Sequence, residues 1–187
     1  MMTTIADMGA RALSEIGQCL DKIDERQATD LVELLATSKR ICVYGCGREG
    51  LMMRALTMRM YHLGLDVHMV FDMTTPPVGP SDLLLVSSGP GYTSTVLTLL
   101  GEARKAGAKT ACITAEPGSA VTKSSDLSFV IPAQTMARDE SAPTSFLPMG
   151  SLFEGAQLLF FEILVMKLRD RIGVTPESMR ARHTNLE

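Results

Sequence analysis

The sequence predicts an α/β fold: a parallel sheet with helices on both faces, preceded by a helical arm. Three observations carry that prediction. Short apolar runs alternate with amphipathic segments of helical length, the pattern of βαβ crossovers. Two of those runs end in glycine turns, at Gly45-Cys46-Gly47 and Ser87-Ser88-Gly89-Pro90-Gly91, as buried parallel strands do where they hand over to a helix. No repeat, linker or low-complexity stretch divides the 187 residues, so residues 1–187 form one domain with one core.

Residues 1–38 read as a helical arm. Ile5, Met8, Ala12, Ile16, Cys19, Leu20 and Ile23 recur at spacings of three and four, an amphipathic stripe. A second helix runs through Leu31, Leu34 and Leu35 and stops near Thr37. Residues 40–44 are a buried strand, 49–63 a helix capped by Gly64, and 67–71 and 83–86 two further strands. Residues 93–105 are helical, 109–114 strand-like, 119–123 one helical turn and 127–131 strand-like. A polar connection over 134–148 is long enough to be a functional loop. A long helix spans 151–172 with Gly173 as its cap, and a last turn opens at Thr175-Pro176, with threonine as N-cap and proline at the first helical position.

Composition narrows the partners. Lys and Arg number 18 against 21 Asp and Glu, giving a net charge of −3 with no basic patch, so nucleic acid and anionic membrane are not expected. There is no tryptophan, and 13 methionines make the core aliphatic and sulfur-rich. The four cysteines form no C-x-x-C pair, and no histidine stands at ligand spacing from one; buried thiols at Cys42 and Cys46, rather than zinc, are expected. Without a secretory leader or an apolar run of membrane length, the expected location is cytoplasmic.

The chemistry should sit beyond the carboxyl ends of the strands, where open α/β sheets bind ligands. Each glycine turn leads into a helix N-terminus whose free N–H groups attract an anion. The turn of residues 87–95 adds up to five hydroxyls, which suits phosphate; the plain alternative is that Ser and Thr only cap the helix. Residues 45–50 also match G-x-G-x-x-G, the dinucleotide fingerprint, with Asp66 or Asp72 as the acidic ribose partner. Arg48 and Glu49 inside that turn obstruct a pyrophosphate, and no separate substrate domain supports a nucleotide-dependent oxidoreductase.

Gly45-Cys-Gly-Arg48, the segment Arg59-Met-Tyr-His62-Leu-Gly64, Thr74-Thr75-Pro76, Leu147-Pro-Met-Gly-Ser-Leu-Phe-Glu154 and Arg182-His183-Thr-Asn-Leu186 follow one another in order. Together they resemble the sugar isomerase (SIS) domain proteins, and among them the 6-phospho-3-hexuloisomerases. The resemblance implies a five-stranded parallel sheet of flavodoxin-like winding, a homotetramer, and conversion of a 3-hexulose 6-phosphate to fructose 6-phosphate without metal or organic cofactor. It implies Glu154 as the base and His183 as a residue whose tail, 174–187, completes a neighbouring subunit's site. Arg48 and Arg59 match positions that hold phosphate or substrate oxygens, and Gly47, Ser87, Ser88, Gly89, Gly91 and Thr93 belong to the implied substrate and phosphate turns. His62 and His68 are expected to be packing or strand residues.

Three departures qualify the match. Glu49 stands where the family carries serine, Pro90 replaces the second serine of the phosphate turn, and Gly155 replaces a second glutamate. Glu49 places a carboxylate beside the expected anion. Phosphate then binds weakly, or the ligand differs, or Glu49 pairs with Arg48, Arg54 or another cation and turns away. A non-catalytic sugar-phosphate-binding module is the alternative these departures raise.

Overall fold

The structure, a computed structural model, describes residues 4–140 and 144–186. Its elements are α1 (Ile5–Leu20), α2 (Glu25–Thr37), β1 (Ile41–Gly45), α3 (Gly47–His62), β2 (Val67–Met69), β3 (Leu83–Ser87), α4 (Ser94–Lys105), β4 (Lys109–Thr114), α5 (Ala120–Lys123), β5 (Leu127–Val130), α6 (Ser151–Ile172) and α7 (Pro176–Ala181). All strand pairs are parallel, in the order β2-β1-β3-β4-β5. This is the expected flavodoxin-like winding, with its switch point between β1 and β3.

Where the sequence predicts one core, alternate side chains of the central strands feed two, one on each face of the sheet. Ile41, Val43, Leu83, Leu85, Ala111 and Ile113 point to the face covered by α1, α2, α3 and α6. Cys42, Leu84, Val86 and Cys112 point to the face covered by α4 and α5. The crossover from β2 to β3 has no helix: residues 70–82 carry Pro76, Pro77 and Pro80, which lack the N–H a helix needs. Val70 and Val78 pack this coil onto the α4 face.

The arm is helical as expected, but only half of its stripe is used. Ile16, Cys19, Leu20 and Ile23 of the stripe pack on the core, whereas Ile5 and Met8 are exposed. Gly155 lets α1 approach α6 closely, since a Cβ there would lie 3.0 Å from Ile16 Cδ1. Cys42 is buried, and that burial pushes its thiol up to about 11. Cys46 departs from expectation: it is only half-buried, because it stands at the N-cap of α3 rather than inside β1. Among the described residues, no helix is long and apolar enough to cross a membrane.

Candidate active site

The G-x-G-x-x-G run works as a packing device. A Cβ on Gly50 would lie 2.5 Å from the carbonyl oxygen of Gly45, so the first turn of α3 rests directly on the end of β1. Gly47 takes φ +54°, the left-handed region that lets the chain turn from strand into helix. The acidic residues that a dinucleotide would need are engaged elsewhere. Asp66 pairs with Arg40 and His68, and Asp72 lies 3.7 Å from Arg54.

Strand register brings the two glycine turns together. Gly45 pairs with Ser87 across β1 and β3, so the loops leaving both strands flank one cavity of about 470 Å³. The starts of α3, α4 and α6 line it through Cys46 and Gly47, through Thr93, and through Gly150 and Glu154. Three helix N-termini therefore direct their partial positive charge at one space. Thr135 and Met136, from the polar connection, close its rim together with Met149 and Phe153. Gly150 makes this closure possible, since a Cβ there would lie 2.5 Å from the Met136 nitrogen. Part of the expected loop, residues 141–143, lies outside the described residues.

Arg48 and Glu154 meet inside the cavity. Arg48 Nη2 lies 3.1 Å from Glu154 Oε2, and the same guanidinium donates to Ser151 Oγ at 2.9 Å and to the Met149 carbonyl. Burial pushes the Glu154 carboxyl above its ordinary value, and Arg48 partly offsets the rise.

Among the described residues Glu49 pairs with no cation, contrary to one sequence expectation. Its carboxylate accepts the Ser87 hydroxyl proton, and the Gly89 N–H lies 3.0 and 2.9 Å from its two oxygens. Gln157 Nε2 donates to Ser87 Oγ at 2.8 Å. Ser88 and Thr93 bond one another at 2.8 Å, and Thr93, the N-cap of α4, makes no capping bond. Ser87, Ser88 and Thr93 thus do not cap the helix, which was their plain alternative; they bond to other side chains of the protein. Gly91 takes φ +79° against Ser119, where a Cβ would meet Cβ at 2.5 Å.

Several expected site residues do not line the cavity. Ser87, Ser88 and Gly89 are buried behind its wall, and Gly91 lines a neighbouring cleft with Ser119 and Arg138. Arg59 and His183 lie farther off. Arg59, three helical turns beyond Arg48, sets its Nε 3.4 Å from Glu162 Oε2 on α6. His183 stacks on His62 with ring centroids 5.4 Å apart, and Arg182 donates to the His62 carbonyl. His62 ends α3, a 16-residue helix about 24 Å long, whose other end opens on the cavity. His183 therefore does not reach its own chain's cavity. His62 is buried, and His68 is a half-buried residue of strand β2 that bonds to Asp66.

Sequence reasoning missed Gln157, Thr135 and Phe153. Gln157 was the most findable: it is fully buried on an apolar helix between Phe153 and Phe160, where a polar side chain demands a polar partner. Thr135 and Phe153 carry no comparable signal, since only the folded loop brings them to the cavity.

A doubly covered parallel sheet with an anion-directed cavity at its switch point defines a class of small-ligand-binding α/β proteins. This chain belongs to the SIS domain family, which matches residues 34–154. It is 32% identical over 178 residues to the 3-hexulose-6-phosphate isomerase of Bacillus subtilis, covering 95% of this chain and 96% of that one. It is 38% identical over 173 residues to the 3-hexulose-6-phosphate isomerase of Mycobacterium gastri, covering 92% and 86%. A Methanococcus jannaschii crystal structure, described as inferring a molecular function of 3-hexulose-6-phosphate isomerase, superposes with a TM-score of 0.83 at 27% identity. That superposition covers 97% of this chain and 99% of the other.

Proposed function

We propose that the chain is a sugar-phosphate isomerase that interconverts a 3-hexulose 6-phosphate and fructose 6-phosphate. The observation that carries this reading is the shielded Glu154 carboxylate at the cavity wall, held 3.1 Å from Arg48. In such a reaction a base takes the proton from C2 of the 3-ketose, electrons shift to give the C2–C3 enediol, and a proton returns at C3. The hydroxyl proton passes from O2 to O3, so no redox partner is consumed. Glu154 serves as the base: desolvation makes it more basic than an ordinary glutamate, the direction a general base needs. Arg48 supports the negative oxygens of the enediolate. The three helix N-termini suit the phosphoryl group, with Gly47 and Thr93 on the cavity lining.

The working unit in this reading is an oligomer, a homotetramer by family resemblance. Leu51, Met58 and Tyr61 of α3 and Leu159, Ile163 and Met166 of α6 are exposed. Such an apolar surface favours self-association. A neighbouring chain's tail would then bring His183 to a site its own chain cannot offer it.

One observation favours a second reading, a sugar-phosphate-binding module without turnover: Glu49 occupies donors of the phosphate turn. Incubating purified protein with 3-hexulose 6-phosphate and assaying fructose 6-phosphate separates the two. Turnover abolished by Glu154→Gln establishes the isomerase. Binding without turnover leaves the module, and neither binding nor turnover sinks both.

A further inference from the structure

The protein itself occupies the anion seat of its hydroxyl-rich turn. Glu49 accepts hydrogen bonds from the Ser87 hydroxyl and the Gly89 N–H. Ser87 can offer nothing else, because it accepts from Gln157 and donates its single proton to Glu49. Gly89 is buried, and a Cβ there would already lie 3.1 Å from Glu49 Oε1 and from the Phe153 ring. A phosphoryl oxygen arriving at this turn therefore finds its donors engaged by a carboxylate.

The charged and titratable groups around Glu49 are few. Arg48 and Cys46 come from the start of α3 and Glu154 from α6, while Ser87, Gly89, Phe153 and Gln157 carry no charge. Arg48 is committed to Glu154, Ser151 and Met149. A phosphate monoester thus meets two carboxylates and one guanidinium. Glu49, without a cation partner among the described residues, is the carboxylate that can take up a proton without breaking an ion pair.

We propose that Glu49 is a specificity-determining residue that makes binding of a phosphate monoester proton-linked: the ligand enters the cavity as Glu49 takes up one proton. This rests on the sugar-phosphate reading above and adds the condition under which the ligand is accepted. Neutralised, the carboxyl no longer repels the phosphoryl group and can donate its own O–H to it. The Ser87 proton then has another acceptor: Gln157 Oε1 is buried without a partner among the described residues, and a half-turn of its amide presents it to Ser87. Burial pushes the Glu49 carboxyl up by more than Ser87 and Gly89 pull it down, and the Glu154 charge adds to the rise. Since binding takes up a proton, affinity falls as pH rises through the Glu49 titration.

Calorimetric titration with fructose 6-phosphate, in two buffers of different ionisation enthalpy, counts the protons. Wild type, Glu49→Gln and Glu49→Ser are compared as full chains. We expect wild type to take up close to one proton more than Glu49→Gln. We also expect Glu49→Ser to bind about tenfold more tightly than wild type above neutral pH. Equal proton counts for wild type and Glu49→Gln, or weaker binding by Glu49→Ser, would overturn the proposal and make Glu49 an ordinary ligand contact. Glu49→Gln keeps the shape of the side chain, so its proton count decides the matter even if Glu49→Ser folds poorly. Binding by none of the three proteins overturns the sugar-phosphate reading itself, an outcome distinct from equal counts.

Discussion

Arg48 Nη2 lies 3.1 Å from Glu154 Oε2 although the two residues stand 106 positions apart, each in the first turn of a different helix. The contact ties α3 to α6 at the cavity and partly offsets the rise that burial imposes on the carboxyl. A base must be ionised to act, so kcat/KM should fall as pH falls through the Glu154 titration. That acid limb should centre above the usual glutamate value of about 4.3, because burial outweighs Arg48. Arg48→Met, which removes the cation, should move the limb to higher pH. Glu154→Gln should lower kcat by about 10²–10⁴ while shifting the melting temperature little. An unmoved limb in Arg48→Met would dissociate the pair from catalysis.

Gly50 and Gly101 are both helical, yet alanine should act oppositely at the two. At Gly50 a Cβ meets the Gly45 carbonyl oxygen at 2.5 Å, backbone against backbone, with no flexible side chain to yield. Urea unfolding of Gly50→Ala should show a loss of about 1–3 kcal/mol, the cost of overpacking. Gly101 is exposed within α4 and has no atom within 4 Å of its Cβ position. Gly101→Ala should gain about 0.5–1 kcal/mol from helix propensity. Equal effects at both sites would show that close packing of α3 on β1 is not what Gly50 provides.

His183 yields a test by complementation. If it serves a neighbouring chain's cavity, Glu154→Gln and His183→Ala should each be inactive alone. Hybrids formed by refolding the two variants together should recover turnover, because some cavities then combine an intact Glu154 with an intact partner tail. Sedimentation should give a particle larger than the 20.2 kDa chain. Hybrids as inactive as their parents would confine His183 to its contact with His62.

Much of the fold is legible without coordinates. Gly173 and Thr175-Pro176 mark the end of α6 and the start of α7 where they occur, because caps depend on local backbone conformation. The strands at 41–45, 83–87 and 109–114 are equally plain, being short apolar runs bounded by turns. The site is less so. Arg48 and Glu154 are found by motif and do converge. Arg59 belongs to the same run of motifs, yet the rise of α3 carries it about 16 Å beyond Arg48, to Glu162.

Glu49 shows the division most clearly. Its presence in the first glycine turn, and therefore a carboxylate near the anion seat, is written in the sequence. Reasoning along the chain then seeks a cation, and Arg48 and Arg54 are near in number. The fold chooses the Ser87 hydroxyl and the Gly89 N–H, 38 and 40 residues away. Pairing of β1 with β3 sets Gly45 beside Ser87 and so fixes which turn faces which. Local sequence determined the elements, the glycine turns and the residue types at the site, since propensity, capping and periodicity act over a few residues. Only the tertiary structure decided which donors Glu49 engages and that His183 lies an entire helix away from its own cavity. Those outcomes depend on strand order and helix length, which juxtapose residues that the chain keeps far apart.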